Sequence, residues 1–127
     1  METLANWENI IDIEIIENIS GGNQYFEVVF LSHDKKKYKI ILNDVWDMRY
    51  SIENASIDRF CEFRKRLPDG IVANGIYIVV NSEYKKYFEL QVSGTRPTGE
   101  LTHYLLVDVI DTVLDILTPE KLIIVPI

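Results

Sequence analysis

The chain has 127 residues, 47% of them hydrophobic and 26% charged, with a formal net charge of −7. That ordinary globular balance argues against disorder, and the length suits one α+β domain over residues 1–127, with the first eight residues frayed or in a short helix. Cys61 is the single cysteine, which excludes an internal disulfide framework and a thiolate zinc site, while the opening METLANWENI and the short apolar runs give no signal peptide or membrane span, so the expected address is the cytoplasm.

Residues 9–19 alternate Ile11, Ile13 and Ile15 against Asp12 and Glu14, the period-two pattern of a half-buried strand. Ser20-Gly21-Gly22-Asn23 reads as a hairpin loop whose glycines supply positive φ. The aromatic and β-branched residues 24–31 form a second strand, and Ser32-His33-Asp34-Lys35 turns the chain into a third over 37–42. These make an antiparallel three-strand meander.

Asn43 or Asp44 can cap a long helix reaching Leu67, where Pro68-Asp69-Gly70 stops it. At 100° per residue Val45, Met48, Ile52, Ala55, Phe60 and Phe63 share a face. Residues 75–80, Gly-Ile-Tyr-Ile-Val-Val, have the continuous apolar character of a central strand. Ser82 caps a short helix over 83–92, and Ser93 to Gly99 is a loop. A strand over 101–107 follows. Asp108 or Asp111 then starts a third helix through Leu117, with Val109, Ile110, Val113, Leu114 and Leu117 at helical spacing, and Thr118-Pro119-Glu120 turns into a last strand over 122–125. The expected fold is therefore the meander followed by helix-strand three times, in a mixed sheet with helices mainly on one face.

The chemistry-bearing residues are sparse. No serine lies in a G-x-S-x-G elbow, and His33 and His103 are seventy residues apart, without metal-ligand spacing. Cys61 reads as a helix packing residue. No cofactor motif is present, so no metal and no cofactor are expected. Gly94-Thr95-Arg96-Pro97 has the makings of an anion-binding turn, because glycine bares backbone N–H groups and arginine offers a fork. Lys35, Lys36, Lys37 and Lys39 surround Tyr38 at a hairpin tip, where such a run protects the sheet edge. In the long helix Arg49, Glu53, Ser56 and Arg59 fall close to the apolar sector, and Arg49 and Glu53 stand four apart, in reach of an ion pair.

Charge is unevenly spread. Residues 1–30 hold six acids and no base, residues 100–127 five acids against Lys121 alone, and the middle carries the remaining bases. Such acidity disfavours nucleic acid and anionic membrane as partners and suits a basic protein. The leading expectation is thus a protein-binding module of the immunity or inhibitor type that neutralises a basic bacterial toxin or effector. It would present Asp12, Glu14, Glu17, Asp108, Asp111 and Asp115 as one patch. The competing expectation is a small ligand-binding domain or enzyme with a polar cleft built from Arg49, Glu53, Arg96 and His103. Exposed sheet edges leave monomer and homodimer both open.

Overall fold

The computed structural model describes residues 2–7, 12–52, 57–70, 72–92, 100–110 and 112–127. Its elements run β1 (Thr3–Asn6), β2 (Ile15–Gly22), β3 (Tyr25–Leu31), β4 (Lys37–Leu42), β5 (Asp47–Ile52), α1 (Ile57–Lys65), β6 (Gly75–Val80), α2 (Glu83–Val92), β7 (Thr102–Val107), β8 (Thr112–Thr118) and β9 (Ile123–Pro126). The class is α+β and rich in strand. The strands form two sheets, ordered β1-β6-β7-β8-β5 and β2-β3-β4-β9, and every pairing among them is antiparallel. One mixed sheet is thereby replaced by two antiparallel ones.

The two sheets share a core. Val28, Phe30, Ile40 and Leu42 of the four-stranded sheet meet Ile76, Tyr104, Leu106, Leu114 and Ile116 of the five-stranded sheet. Alternation then sends the intervening residues of the five-stranded sheet to its opposite face. There Tyr77, Val79, Leu105, Val107 and Val113 pack with Phe60 and Phe63 of α1. The five-stranded sheet is thus covered on both sides, by a sheet within and by helices without.

This double burial explains the largest departures from expectation. Residues 108–117 were expected to be helical, yet β8 pairs with β7 and β5 on either side. A strand buried on both faces is a continuous apolar run, and short apolar runs satisfy either period. Thr112, Val113, Ile116 and Thr118 are the β-branched residues that favour the extended form. The long helix over 44–67 likewise divides into β5 and the nine-residue α1. In β5, Met48 joins the inter-sheet core while Arg49 lies opposite Asp115 of β8 on the helix-facing side.

Smaller corrections follow from local geometry. Thr3–Asn6 is a strand paired with β6, not a frayed end. The first meander strand begins at Ile15 and runs through Gly22, and the turn is Asn23-Gln24, both with positive φ (52° and 71°). Gly21 serves close approach instead: a Cβ there would lie 2.1 Å from the Tyr25 carbonyl oxygen. The antiparallel meander β2-β3-β4 is present as expected, and a last strand follows Thr118-Pro119-Glu120 and pairs with β4. Cys61 is exposed on α1 and does not pack. No helix among the described residues is long and apolar enough to cross a membrane.

Candidate functional site

Two polar constellations stand out, one at a tip of the molecule and one under the helices. The first is organised by Asp108, which leaves β7 and is buried. Its Oδ1 accepts the amides of Ile110 (3.0 Å) and Thr112 (2.8 Å), and its Oδ2 accepts the amide of Ile16 (3.0 Å). The Val109 amide donates to the Glu14 carbonyl at 3.0 Å. One carboxylate thus closes the β7–β8 turn and ties it to the acidic segment 12–17.

This arrangement brings the two ends of the acidic pattern together. Asp12 is exposed, and Glu17 stands out at the register shift between Ile16 and Asn18. Val109 and Ile110 are each 60% exposed in their midst. The lysine run folds back over part of the patch: Lys35 pairs with Glu14 at 2.6 Å and Lys37 with Glu17 at 3.4 Å. Both pairs are open to solvent and therefore screened by salt. Asp111 lies outside the described residues. Asp108 acts as the clamp, not as an exposed carboxylate.

Asp115 belongs to the second constellation. It sits on β8, 3% exposed, on the side that faces the helices. Arg59 of α1 grips it with two bonds, donating Nη1–H to Oδ2 at 2.8 Å and Nη2–H to Oδ1 at 2.7 Å. His103 of β7 reaches the same Oδ1 through Nε2 at 2.5 Å, and its Nδ1 lies 2.6 Å from Ser82 Oγ. Ser82 caps α2 as expected, with its Oγ accepting the Lys85 amide at 2.9 Å. Burial pushes the Asp115 carboxyl up. Hydrogen bonds from Arg59 and His103, together with the Arg59 charge, outweigh burial and leave it below the usual carboxylate range. Burial alone would lower Arg59, but Asp115 reverses that and holds its pKa above the ordinary value.

Tyr84 of α2 extends the cluster. Its ring meets His103 edge-on at 5.2 Å, and its hydroxyl donates to Asp47 Oδ2 at 2.6 Å. Burial first, and the bond to Asp47 second, raise its pKa and keep it a donor. The Arg49 guanidinium lies 4.0 Å from the centre of that ring and 5.5 Å from the centre of Tyr87, contacts of the cation–π kind. Arg49 and His103 are therefore brought to the same aromatic side chain. Because Arg49 is on a strand, the four-residue spacing to Glu53 no longer implies an ion pair; Glu53 and Arg96 lie outside the described residues. Ser82 and His103 also line a concavity of about 360 Å³ with Asn81, Lys85, Lys86 and Thr102.

Sequence reasoning singled out His103 and Asp115 separately and missed their union with Ser82 and Arg59. A signal existed. His103 and Asp115 interrupt otherwise apolar strands, and a polar group inside a doubly buried strand needs a partner. No protein-family model, curated protein or solved structure significantly matches the chain.

Proposed function

We propose that the protein is a small acidic binding module of the immunity or inhibitor type, which neutralises a basic bacterial toxin or effector by docking the tip that carries Val109 and Ile110. The observation that supports this reading is the Asp108 clamp, which fixes an exposed apolar pair beside the acidic segment 12–17. An apolar centre with a charged rim is the layout of a protein–protein contact. Rim carboxylates steer a basic partner and speed its capture, while the desolvated centre holds the complex. Asp12, Glu14 and Glu17 supply the rim in this scheme. Asp108 supplies its rigidity, and Asp115 is excluded by burial.

The test compares the whole chain with a V109D/I110D variant as bait in lysate of the source organism, with captured proteins identified by mass. The expected result is a basic protein retained at low salt by the wild type and lost from the variant, whose melting temperature stays unchanged. Its purified form should then bind the wild type with an association rate that falls steeply with salt. Equal capture by both baits, or a binding rate indifferent to salt, would reject the proposal.

A further inference from the structure

The cluster under the helices has a chemistry that protein binding does not use. Asp115 is ionised and gripped by Arg59, so its oxygens only accept hydrogen bonds, and His103 must carry its proton on Nε2 to donate to Oδ1 at 2.5 Å. A neutral imidazole then has a bare Nδ1. That nitrogen is 2.6 Å from Ser82 Oγ, so the serine O–H donates to it. The tautomer is assigned by this network of donors and acceptors. The Lys85 amide meanwhile donates to the same Oγ at 2.9 Å, a bond that strengthens as negative charge grows on the oxygen.

Hydroxyl, base and orienting carboxylate are in line, which is the logic of the serine hydrolase triad. The imidazole is turned end for end relative to the usual wiring, with Nδ1 toward serine and Nε2 toward aspartate, but the path of the proton is the same. The setting departs from a purely structural cluster in one respect: Ser82 and His103 both line the 360 Å³ concavity, large enough for a small ligand. We propose that Ser82 is an activated nucleophile in a Ser82–His103–Asp115 relay that cleaves short-chain acyl esters bound in this concavity.

The step balances without a cofactor. Ser82 Oγ attacks the ester carbonyl carbon, its proton passes to His103 Nδ1, and the carbon–alkoxide bond breaks as His103 returns the proton to the departing alcohol. Water then repeats the sequence on the acyl-serine, releasing the acid and restoring the hydroxyl. Charge developing on the substrate oxygen falls at the amino end of α2, where the helix dipole favours it. Asp115 is a positioning residue, and Arg59 already balances its charge, which limits how far it can stabilise an imidazolium. Turnover should consequently be slow and covalent capture by activated reagents easier to see.

The experiment incubates the full-length folded protein with an ethoxy fluorophosphonate probe. Oγ–P bond formation with loss of fluoride leaves a stable adduct, which intact mass and peptide mapping locate. One phosphonyl group on Ser82 is the expected result, absent from Ser82→Ala and acquired about 10²–10⁴-fold more slowly by His103→Gln. Saturable 4-nitrophenyl acetate hydrolysis should disappear with Ser82→Ala. In Asp115→Asn the pH profile of labelling should change shape, a response that simple loss of packing would not produce. An unlabelled wild type that retains its circular dichroism, or a label on tyrosine or lysine instead, would overturn the proposal even if every variant failed to fold. A pH profile for Asp115→Asn that superimposes on the wild type would remove Asp115 from the relay and overturn it as drawn.

Discussion

Replacing Arg59 by Met is the sharpest probe of how the helices are held to the five-stranded sheet. Met keeps the unbranched stem, and so the packing beside Phe63, whose ring lies 5.3 Å from the guanidinium. It removes both bonds to Asp115 and leaves a carboxylate that is 3% exposed without its main counter-charge. Removing one partner of a buried pair costs about 3–5 kcal/mol. The Arg59 side chain is 24% exposed, and water already screens part of the interaction, so the lower end, about 3 kcal/mol, is expected. Unfolding entropy near 2.1 cal/mol/K per residue gives roughly 0.27 kcal/mol/K over the chain, so the melting temperature should fall by about 11 °C. Asp115→Asn alone should also destabilise. It retains an acceptor for His103 but removes the charge that Arg59 needs. The R59M/D115N double variant should cost about 1–3 kcal/mol less than the sum of the singles, because it buries neither charge alone. Urea unfolding followed by circular dichroism, fitted with a shared slope, measures all four corners of the cycle. A loss below about 0.5 kcal/mol in R59M, or strict additivity in the cycle, would refute the view of this pair as the link between α1 and β8.

The same pair sets an acid limit. The Asp115 pKa is lowered in the folded protein, so its contribution is present above the unfolded carboxylate pKa, about 3.9, and is lost as pH falls through the lower folded value. Urea midpoints should therefore drop below about pH 4, and the drop should be shallower in Asp115→Asn than in the wild type. Gly21→Ala should cost at least about 2 kcal/mol, since the new Cβ meets the Tyr25 carbonyl oxygen at 2.1 Å on a backbone with φ of 140°; a thermal melt within 2 °C of wild type would contradict it. Asp108→Ala strips the acceptor from three amides and should cost about 2–4 kcal/mol. Hydrogen exchange should then quicken at Ile16, Ile110 and Thr112 specifically, and uniform exchange over the whole chain would count against the clamp.

The legible parts of the fold were those with one buried face. In the meander, Phe26, Val28, Phe30, Tyr38, Ile40 and Leu42 of β3 and β4 belong to the core and alternate with Glu27, Val29, Lys37 and Lys39, so the period-two signal survives. The last strand and the Ser82 cap were visible for equally local reasons. β8 was not, because its alternate residues are buried by different layers: Leu114 and Ile116 by the four-stranded sheet, Val113 by the helices. Nothing in one dimension distinguishes that strand from a buried helix. The broken helix at Asp47–Ile52 has a different cause, because no residue of that edge strand is fully buried. Met48, Tyr50 and Ile52 fit a strand, while Val45, Met48 and Ile52 fit a helix, and edge pairing with β8 decides between them. The candidate sites suffered accordingly. His103 and Asp115 were noticed separately, because a helix over 108–117 gives Asp115 no strand neighbour, whereas on β8 it lies opposite Leu105, two residues along β7 from His103.

Both constellations depend on the hairpin β7–β8, and this bears on how the molecule would act. Asp108 and Thr112 close its turn, and His103 and Asp115 hold its helix-facing side to Ser82 and Arg59. Tyr104, Leu106, Leu114 and Ile116 hold its other side to the second sheet. Residues on a hairpin so fixed have little conformational entropy to lose on docking, so the exposed Val109 and Ile110 would be preorganised for the proposed partner. The same fixation keeps Ser82, His103 and Asp115 within hydrogen-bond distance without any help from a ligand, as a relay needs. Rigidity of this one hairpin serves the proposed binding surface and the proposed chemistry alike. The two are nonetheless separable, because V109D/I110D alters solvent-facing side chains at the turn, whereas Ser82→Ala acts at the concavity and the α2 cap.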